Sequence, residues 1–187
     1  MAKPHLILVT GRPGAGKTTF SRALGDEIFM PVISRDQLKE GYVHTFGVRH
    51  NELPETANLT ATHIFFDTLM GLIERDVSVI AEAAFQHRIW SEMLERFRGK
   101  ARMQLIICRV DGEVALNRFL ERGLENPLRE YFHGDKGVDL ARRGEALSVS
   151  PYDEPRLGIP THIVDTSGAY DPPLCALAER LFSGGAN

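Results

Sequence analysis

Cysteine is nearly absent from this chain: Cys108 and Cys175 are the only two, far apart and without metal-ligand spacing. Neither a disulfide framework nor a zinc site has support, and both residues read as core positions. Long apolar runs are lacking as well. No stretch approaches the ~20 consecutive apolar residues of a membrane span, and Met1-Ala2-Lys3-Pro4-His5 leads into an apolar strand rather than a signal peptide. A cytoplasmic protein without a membrane partner is the expectation. Positive charge is not in excess either: 22 Lys and Arg stand against 25 Asp and Glu, a formal net charge of -3. That denies the chain the general positive field of proteins that hold nucleic acid mainly by its phosphates, while a local basic patch stays open. Internal repeats, low-complexity tracts and an unambiguous interface patch are missing too, so oligomeric state is left open.

What is present suffices for one sizeable core, with 43% apolar and 25% charged residues in 187. A single domain over residues 1–187 is expected, with one mobile insertion. Leu6-Ile7-Leu8-Val9 is an apolar run bounded by Pro4 and Gly11, suited to a strand buried on both faces of a parallel sheet. Pro31–Ser34, Val77–Ala81, Met103–Cys108 and Thr161–Val164 read as four further strands. Helical spacing marks Lys17–Ile28, a short helix from Asp36 that fades near Gly41, a long helix from Ala57 to Leu72, and one from Ile89 to Phe97 closed by Gly99. Asp111 is placed to cap a helix through Val114, Leu116, Phe119 and Leu120, and Pro172 opens a last one. Between Gly123 and Pro160 prolines and charges accumulate, and only Leu140–Leu147 is periodic, which makes this the candidate insertion. Ser183–Asn187 reads as a frayed end. Strands alternating with helices predict an α/β doubly wound sheet of five parallel strands, with ligands beyond the carboxyl ends of the strands.

Gly11-Arg12-Pro13-Gly14-Ala15-Gly16-Lys17-Thr18 fits G-x-x-x-x-G-K-[ST] directly after the first strand and before a helix. Glycines let backbone N–H groups turn inward around phosphates, and the helix N-terminus adds partial positive charge. Lys17 is then expected to reach the β- and γ-phosphates, Thr18 to ligate Mg²⁺, and Thr19 to lie in the same first helical turn. A GTPase would need an Asn-Lys-x-Asp element, which is missing; Asp165-Thr166-Ser167-Gly168 matches D-x-x-G but follows the fifth strand and is set aside.

Asp36 follows the second strand, where a carboxylate can orient an alcohol and take its proton during phosphoryl transfer; capping its own helix is a compatible role. Glu82 ends the third strand and has two readings, holding the water shell of magnesium or binding an acceptor hydroxyl, beside the plain alternative of a salt bridge. His87 and Arg88 lie just beyond, either on substrate or solvated at a helix start. Arg118 and Arg122 are four apart on one helix face, so two guanidinium groups can converge on phosphate oxygens. Surface pairing with Glu121 or Glu125 is the simpler reading of both.

Gly11 to Thr18, Arg35-Asp36, Glu82, Arg118-Phe119-Leu120-Glu121-Arg122-Gly123 and Val164-Asp165-Thr166-Ser167 together resemble the P-loop kinases that include phage polynucleotide kinase, chloramphenicol phosphotransferase, zeta toxins and gluconate kinase. The resemblance spans nearly the whole chain. It implies a three-layer P-loop NTPase fold with a lid, about residues 118–150, in which Arg118 and Arg122 match a lid pair R-x-x-x-R-G. It also implies that Asp36 is the general base, and that Glu82 corresponds to an acidic residue ending the third strand in zeta toxins. Arg129 and His133 fit an R-x-x-x-H pattern of less characterised members, as substrate-side residues. The expected activity is transfer of the γ-phosphoryl group of ATP, with Mg²⁺, to a hydroxyl of a small molecule. A nucleic acid 5′-hydroxyl, or an ATPase or regulator without an acceptor, are the alternatives.

Overall fold

The computed structural model describes residues 3–145 and 147–183. The expected frayed end beyond Ser183 lies outside them. The chain runs β1 (His5–Thr10), α1 (Lys17–Ile28), β2 (Val32–Ser34), α2 (Arg35–Phe46), α3 (Ala57–Ile73), β3 (Val79–Glu82), α4 (His87–Leu94), β4 (Arg102–Arg109), α5 (Gly112–Glu125), α6 (Pro127–His133), α7 (Lys136–Arg142), β5 (Thr161–Asp165) and α8 (Leu174–Phe182). The five strands form one sheet in the order β2-β3-β1-β4-β5, every pairing parallel. After β3 the chain crosses from one side of β1 to the other. That switch opens a crevice at the carboxyl end of β1, where the glycine-rich turn begins.

Side chains alternate across the central strand, as a pleated backbone requires. Leu6 and Leu8 pack with Phe65, Phe66 and Trp90 under α3 and α4, whereas Ile7 and Val9 pack with Phe20, Leu24, Val164 and Leu177 under α1 and α8. This is the three-layer P-loop arrangement. Cys108 is buried beneath the turn, and burial pushes its thiol up to about 12, which leaves it unreactive. Cys175, expected in the core, is exposed on α8 instead.

Three local expectations need correction. Helix α2 does not fade at Gly41 but continues to Phe46 and stops at Gly47, whose φ of 64° and N–H bond to the Val43 carbonyl close it. A lone glycine costs a helix only ~1 kcal/mol, less than packing on α3 and α6 supplies. Asp36 is not the cap of α2; Ser34 occupies that position and Asp36 sits in the first turn. In place of one helix over Leu140–Leu147 there are two shorter ones. Asn126 caps α6 by accepting from Leu128 N at 3.1 Å, with Pro127 in its first turn, and α7 ends before Gly144, whose φ is 77°. Ala146 lies outside the described residues.

The irregular chain from 147 to 160 is pinned at several points. The Tyr152 hydroxyl lies 3.2 Å from Thr10 Oγ1, His87 N donates to the Asp153 carbonyl at 3.3 Å, and Arg156 N donates to His87 Nδ1 at 3.2 Å. Arg109 donates twice to Glu154, at 3.1 and 2.7 Å. Among the described residues, no helix is long and apolar enough to cross a membrane.

Helices α5 and α7 meet at Gly123, where an added methyl would collide with the branched Val138 side chain. Alanine ordinarily stabilises a helix interior relative to glycine. Here Gly123→Ala is expected to destabilise by ~1–3 kcal/mol through overpacking, and to raise protease cleavage between 136 and 145. Urea denaturation with peptide mapping checks both.

Candidate active site

The turn after β1 is built on two contacts that only glycine permits. Gly11, at φ 149°, faces the Cys108 carbonyl, and Gly14, at φ 82°, faces the Ala115 carbonyl, each with no room for a Cβ. Ala15 N donates to the Arg12 carbonyl at 3.1 Å, and Thr166 Oγ1 donates to the Ala15 carbonyl at 2.8 Å, which ties the turn to the loop after β5. Gly16, at φ 74°, precedes α1, so Lys17, Thr18 and Thr19 form its first turn with free N–H groups toward the crevice. The Lys17 ammonium is buried and donates to the Arg12 carbonyl at 3.0 Å. Desolvation lowers its pKa, against the fields of Glu82 and Asp36.

Sheet register places the acids. Glu82 sits opposite Val9 of β1 and Ser34 of β2. It is 3% exposed, accepts from Ser34 Oγ at 2.6 Å, and lies 3.4 Å from Thr18 Oγ1. Desolvation raises its pKa, while Lys17 and the Ser34 bond hold the rise in check. Its closeness to Thr18 favours the magnesium reading over the acceptor reading. Among the described residues no group of three or more His, Cys, Asp or Glu is placed to hold a metal ion. Magnesium asks for less: it keeps several waters and needs one or two protein oxygens, and Thr18 Oγ1 and Glu82 present two adjacent ones. The donor set and the glycine-lined turn thus fit a magnesium nucleotide.

Asp36 projects from α2 into the same cavity of about 190 Å³, lined by Gly14, Lys17, Thr18, Glu82, Arg122 and Arg129 among others. Its side chain is 52% exposed to that open cleft. Desolvation there works to raise its pKa, but His133, Arg35, Lys17 and Lys39 outweigh it and hold the carboxyl below the usual range. Asp36 is ionised at neutral pH.

The expected pair of arginines separates. Arg122 lines the cavity, whereas Arg118 donates to the Thr166 carbonyl at 3.0 Å and the Ser167 carbonyl at 2.7 Å, outside it. Arg129 and His133 come in from α6. His133 Nε2 lies 2.8 Å from Glu40 Oε1 on α2, and Arg129 lies 3.8 Å from Asp135. Arg88 is exposed at the start of α4 and does not line the cavity. The Arg12 side chain also turns away, its guanidinium 5.9 Å from the centre of the Tyr152 ring, so only its backbone serves the turn. Asp165 accepts from Ser167 N at 2.7 Å, a local turn with no view of the cavity.

Sequence reasoning gave no role to Arg35, which it noted only beside Asp36, and missed Lys39 and Asp135; all three line the cavity. Lys39 had a legible signal, being three residues beyond Asp36 on one helix. Asp135 had none, because its place depends on how α6 and α7 fold back. Lys39 is 5% exposed, and its ammonium donates to the His133 carbonyl at 3.1 Å. Desolvation and the neighbouring Arg35 lower its pKa to about 8, against Asp36 and Asp135.

A lysine depressed in the folded state disfavours folding wherever both states are charged, so the penalty is full below about pH 8. Between there and the unfolded pKa the unfolded chain binds more protons, and folded stability rises with pH. Lys39→Met should therefore gain on the order of 2 kcal/mol at pH 7, after loss of one hydrogen bond, with the gain shrinking at pH 9.5. Urea midpoints of both proteins at the two pH values check this.

The chain has no match among curated proteins. Of solved structures, a protein from Chloroflexus aurantiacus described as a kinase shares 25% identity over 97% of this chain and 98% of its own, with a TM-score of 0.76. A gluconokinase from Sinorhizobium meliloti shares 17% identity over 100% of both chains, TM-score 0.55, and a shikimate kinase from Acinetobacter baumannii 18% over 100% and 97%, TM-score 0.56. These last two show a common kinase-like P-loop fold. The family model for zeta toxins matches residues 1–145, most of the chain, and the protein belongs to the zeta toxin family.

Proposed function

We propose that the protein is an ATP-dependent kinase that transfers the γ-phosphoryl group to a hydroxyl of a small molecule. One observation carries this: Lys17 of the phosphate turn and the Asp36 carboxyl face a single cavity, with Glu82 between them at the strand ends. A carboxylate there can orient water as well as an alcohol, and the lined space beyond it, walled by Lys39, Arg129 and His133, is what favours an acceptor over hydrolysis alone. A polynucleotide acceptor needs an open basic groove, whereas α6 closes over α2 through His133 and Glu40.

The N–H groups of the turn and the Lys17 ammonium bind the β- and γ-phosphates of ATP, and Arg122 offsets negative charge that shifts toward the leaving oxygen. Thr18 and Glu82 would hold magnesium, which would supply neutralisation of phosphate charge when bound. Asp36 accepts the hydrogen bond of the acceptor hydroxyl and aims its oxygen. The new bond forms between that oxygen and the γ-phosphorus as the bond to the β,γ-bridging oxygen breaks; ADP leaves, and the hydroxyl proton passes to Asp36. A carboxylate of low pKa suits this timing, because in a loose transition state the proton moves late. Helices α5 to α7 act as a lid whose closure excludes water and limits hydrolysis.

Asp36→Asn should lose phosphoryl transfer by ~10²–10⁴-fold yet keep nucleotide affinity. Lys17→Ala should weaken both. Coupled ADP release and calorimetry with a non-hydrolysable ATP analogue measure the two quantities, and unchanged transfer in Asp36→Asn would remove the assignment of the base. The lid reading predicts slower trypsin cleavage within 127–160 when that analogue and magnesium are present; equal cleavage rates count against it.

A further inference from the structure

We infer that the acceptor carries an anionic oxygen group, a carboxylate or a phosphate, close to the hydroxyl it offers, and that Lys39 receives that group. The inference rests on the kinase reading and names the class of its acceptor.

Lys39 is more than nine-tenths buried in the acceptor half of the cavity, and the one bond it makes among the described residues is to a neutral carbonyl. A buried ammonium with no carboxylate in hydrogen-bond contact is costly even in the fields of Asp36 and Asp135, and its cost is offset when a ligand brings an anion to it. Two guanidinium groups beside it are also incompletely used: Arg35 Nε and Arg129 Nε are buried with no hydrogen-bond partner. Arg35 spends its terminal nitrogens on Asn58 and Asp36, and Arg129 stands 3.8 Å from Asp135, too far for a hydrogen bond. Three cations thus share a space with two carboxylates, Asp36 and Asp135, and Asp135 Oδ2 is likewise buried without a hydrogen-bond partner. Asp36 takes the hydrogen bond of the hydroxyl in the kinase reading, and three cations against two carboxylates leave one positive charge in excess.

A neutral polyol would leave this cluster as it stands. An anionic group meets Lys39 and the free guanidinium donors with charge-assisted bonds. Residues three apart on a helix place their Cβ atoms about 5–6 Å from one another, so the anion sits within a few bonds of the hydroxyl on Asp36. The small cavity under α6 favours a compact hydroxy acid or phosphorylated alcohol over a polymer.

Lys39 has a competing structural role, holding the His133 carbonyl and with it the lid. A neutral donor performs that role equally well, so Lys39→Gln removes the charge and keeps the bond, while Lys39→Arg keeps the charge. The test is ADP release with magnesium and ATP across matched acceptors: glycerate, glycerol phosphate and glycerol, five- and six-carbon hydroxy acids, their phosphate esters and parent polyols, and a 5′-hydroxyl oligonucleotide. Turnover is expected for carboxylated or phosphorylated members, the two arms separating the anions. For the best of them KM should rise by roughly 30-fold in Lys39→Gln with a much smaller change in kcat, and return toward wild type in Lys39→Arg. Preference for a neutral polyol or the oligonucleotide, or equal KM changes for charged and neutral acceptors, overturns the inference. A panel without turnover is decided by calorimetry on enzyme saturated with magnesium and the non-hydrolysable analogue. Saturable binding of malonate or inorganic phosphate that Lys39→Gln abolishes supports the inference, and its absence overturns it. No binding of the analogue itself overturns the kinase reading as well.

Discussion

The site depends on one row of the sheet, in which Val9, Glu82 and Ser34 lie side by side on β1, β3 and β2. Parallel pairing is all-or-none in its consequences, because a slip of one residue would send Glu82 to the opposite face. In the observed register the phosphate turn leaves β1, the acid ends β3 and α2 leaves β2 within the same few ångströms. Lys17, Glu82 and Asp36 need no long-range guidance beyond this row to share a cavity. The Ala83 N–H, bonded to the Val9 carbonyl at 3.1 Å, extends the pairing one residue past the strand and fixes the approach to the turn.

Electrostatics then divides the labour among chemically similar groups. Glu82 and Asp36 are both carboxylates at strand ends, yet their pKa values move in opposite directions. Glu82 is enclosed among strand ends and raised by desolvation, whereas Asp36 looks into the cleft and is lowered by the cations around it. Groups pushed apart in this way suit the different tasks proposed for them, Glu82 toward magnesium and Asp36 toward an alcohol. Lys17 and Lys39 differ in place rather than in kind: each is buried, donates to a neutral carbonyl and lies in the field of two carboxylates, Lys17 at the phosphate turn and Lys39 beneath α6.

The connection between β4 and β5 ties the two halves of the site together. Helix α5 supplies Arg118 to the loop after β5 and Arg122 to the cavity, and α6 docks on α2 through His133. The chain from 147 to 160 then returns across the top of the sheet, held by Tyr152 and by the Arg109–Glu154 pair. The region with the weakest sequence pattern therefore carries contacts between the nucleotide end and the acceptor end. These contacts are polar and partly exposed, which is why periodicity does not reveal them.

Much of the molecule could be read from the residues. The five strands, the helices on either side, the turn from Gly11 to Thr18 and the positions of Asp36, Glu82 and Arg122 depend on local signals: apolar runs, glycines where no Cβ fits, and acids at strand ends. Such signals act within a few residues, so the sequence alone determined them. Tertiary structure decided what local chemistry leaves open. Packing carried α2 past Gly41, the docking of α6 on α2 buried Lys39 against the His133 carbonyl, the fold-back of α6 and α7 added Arg129, His133 and Asp135, and competing carbonyls took Arg118 away from its helical neighbour. Each of these turns on which surfaces meet across long stretches of chain, and no spacing along one segment encodes that meeting.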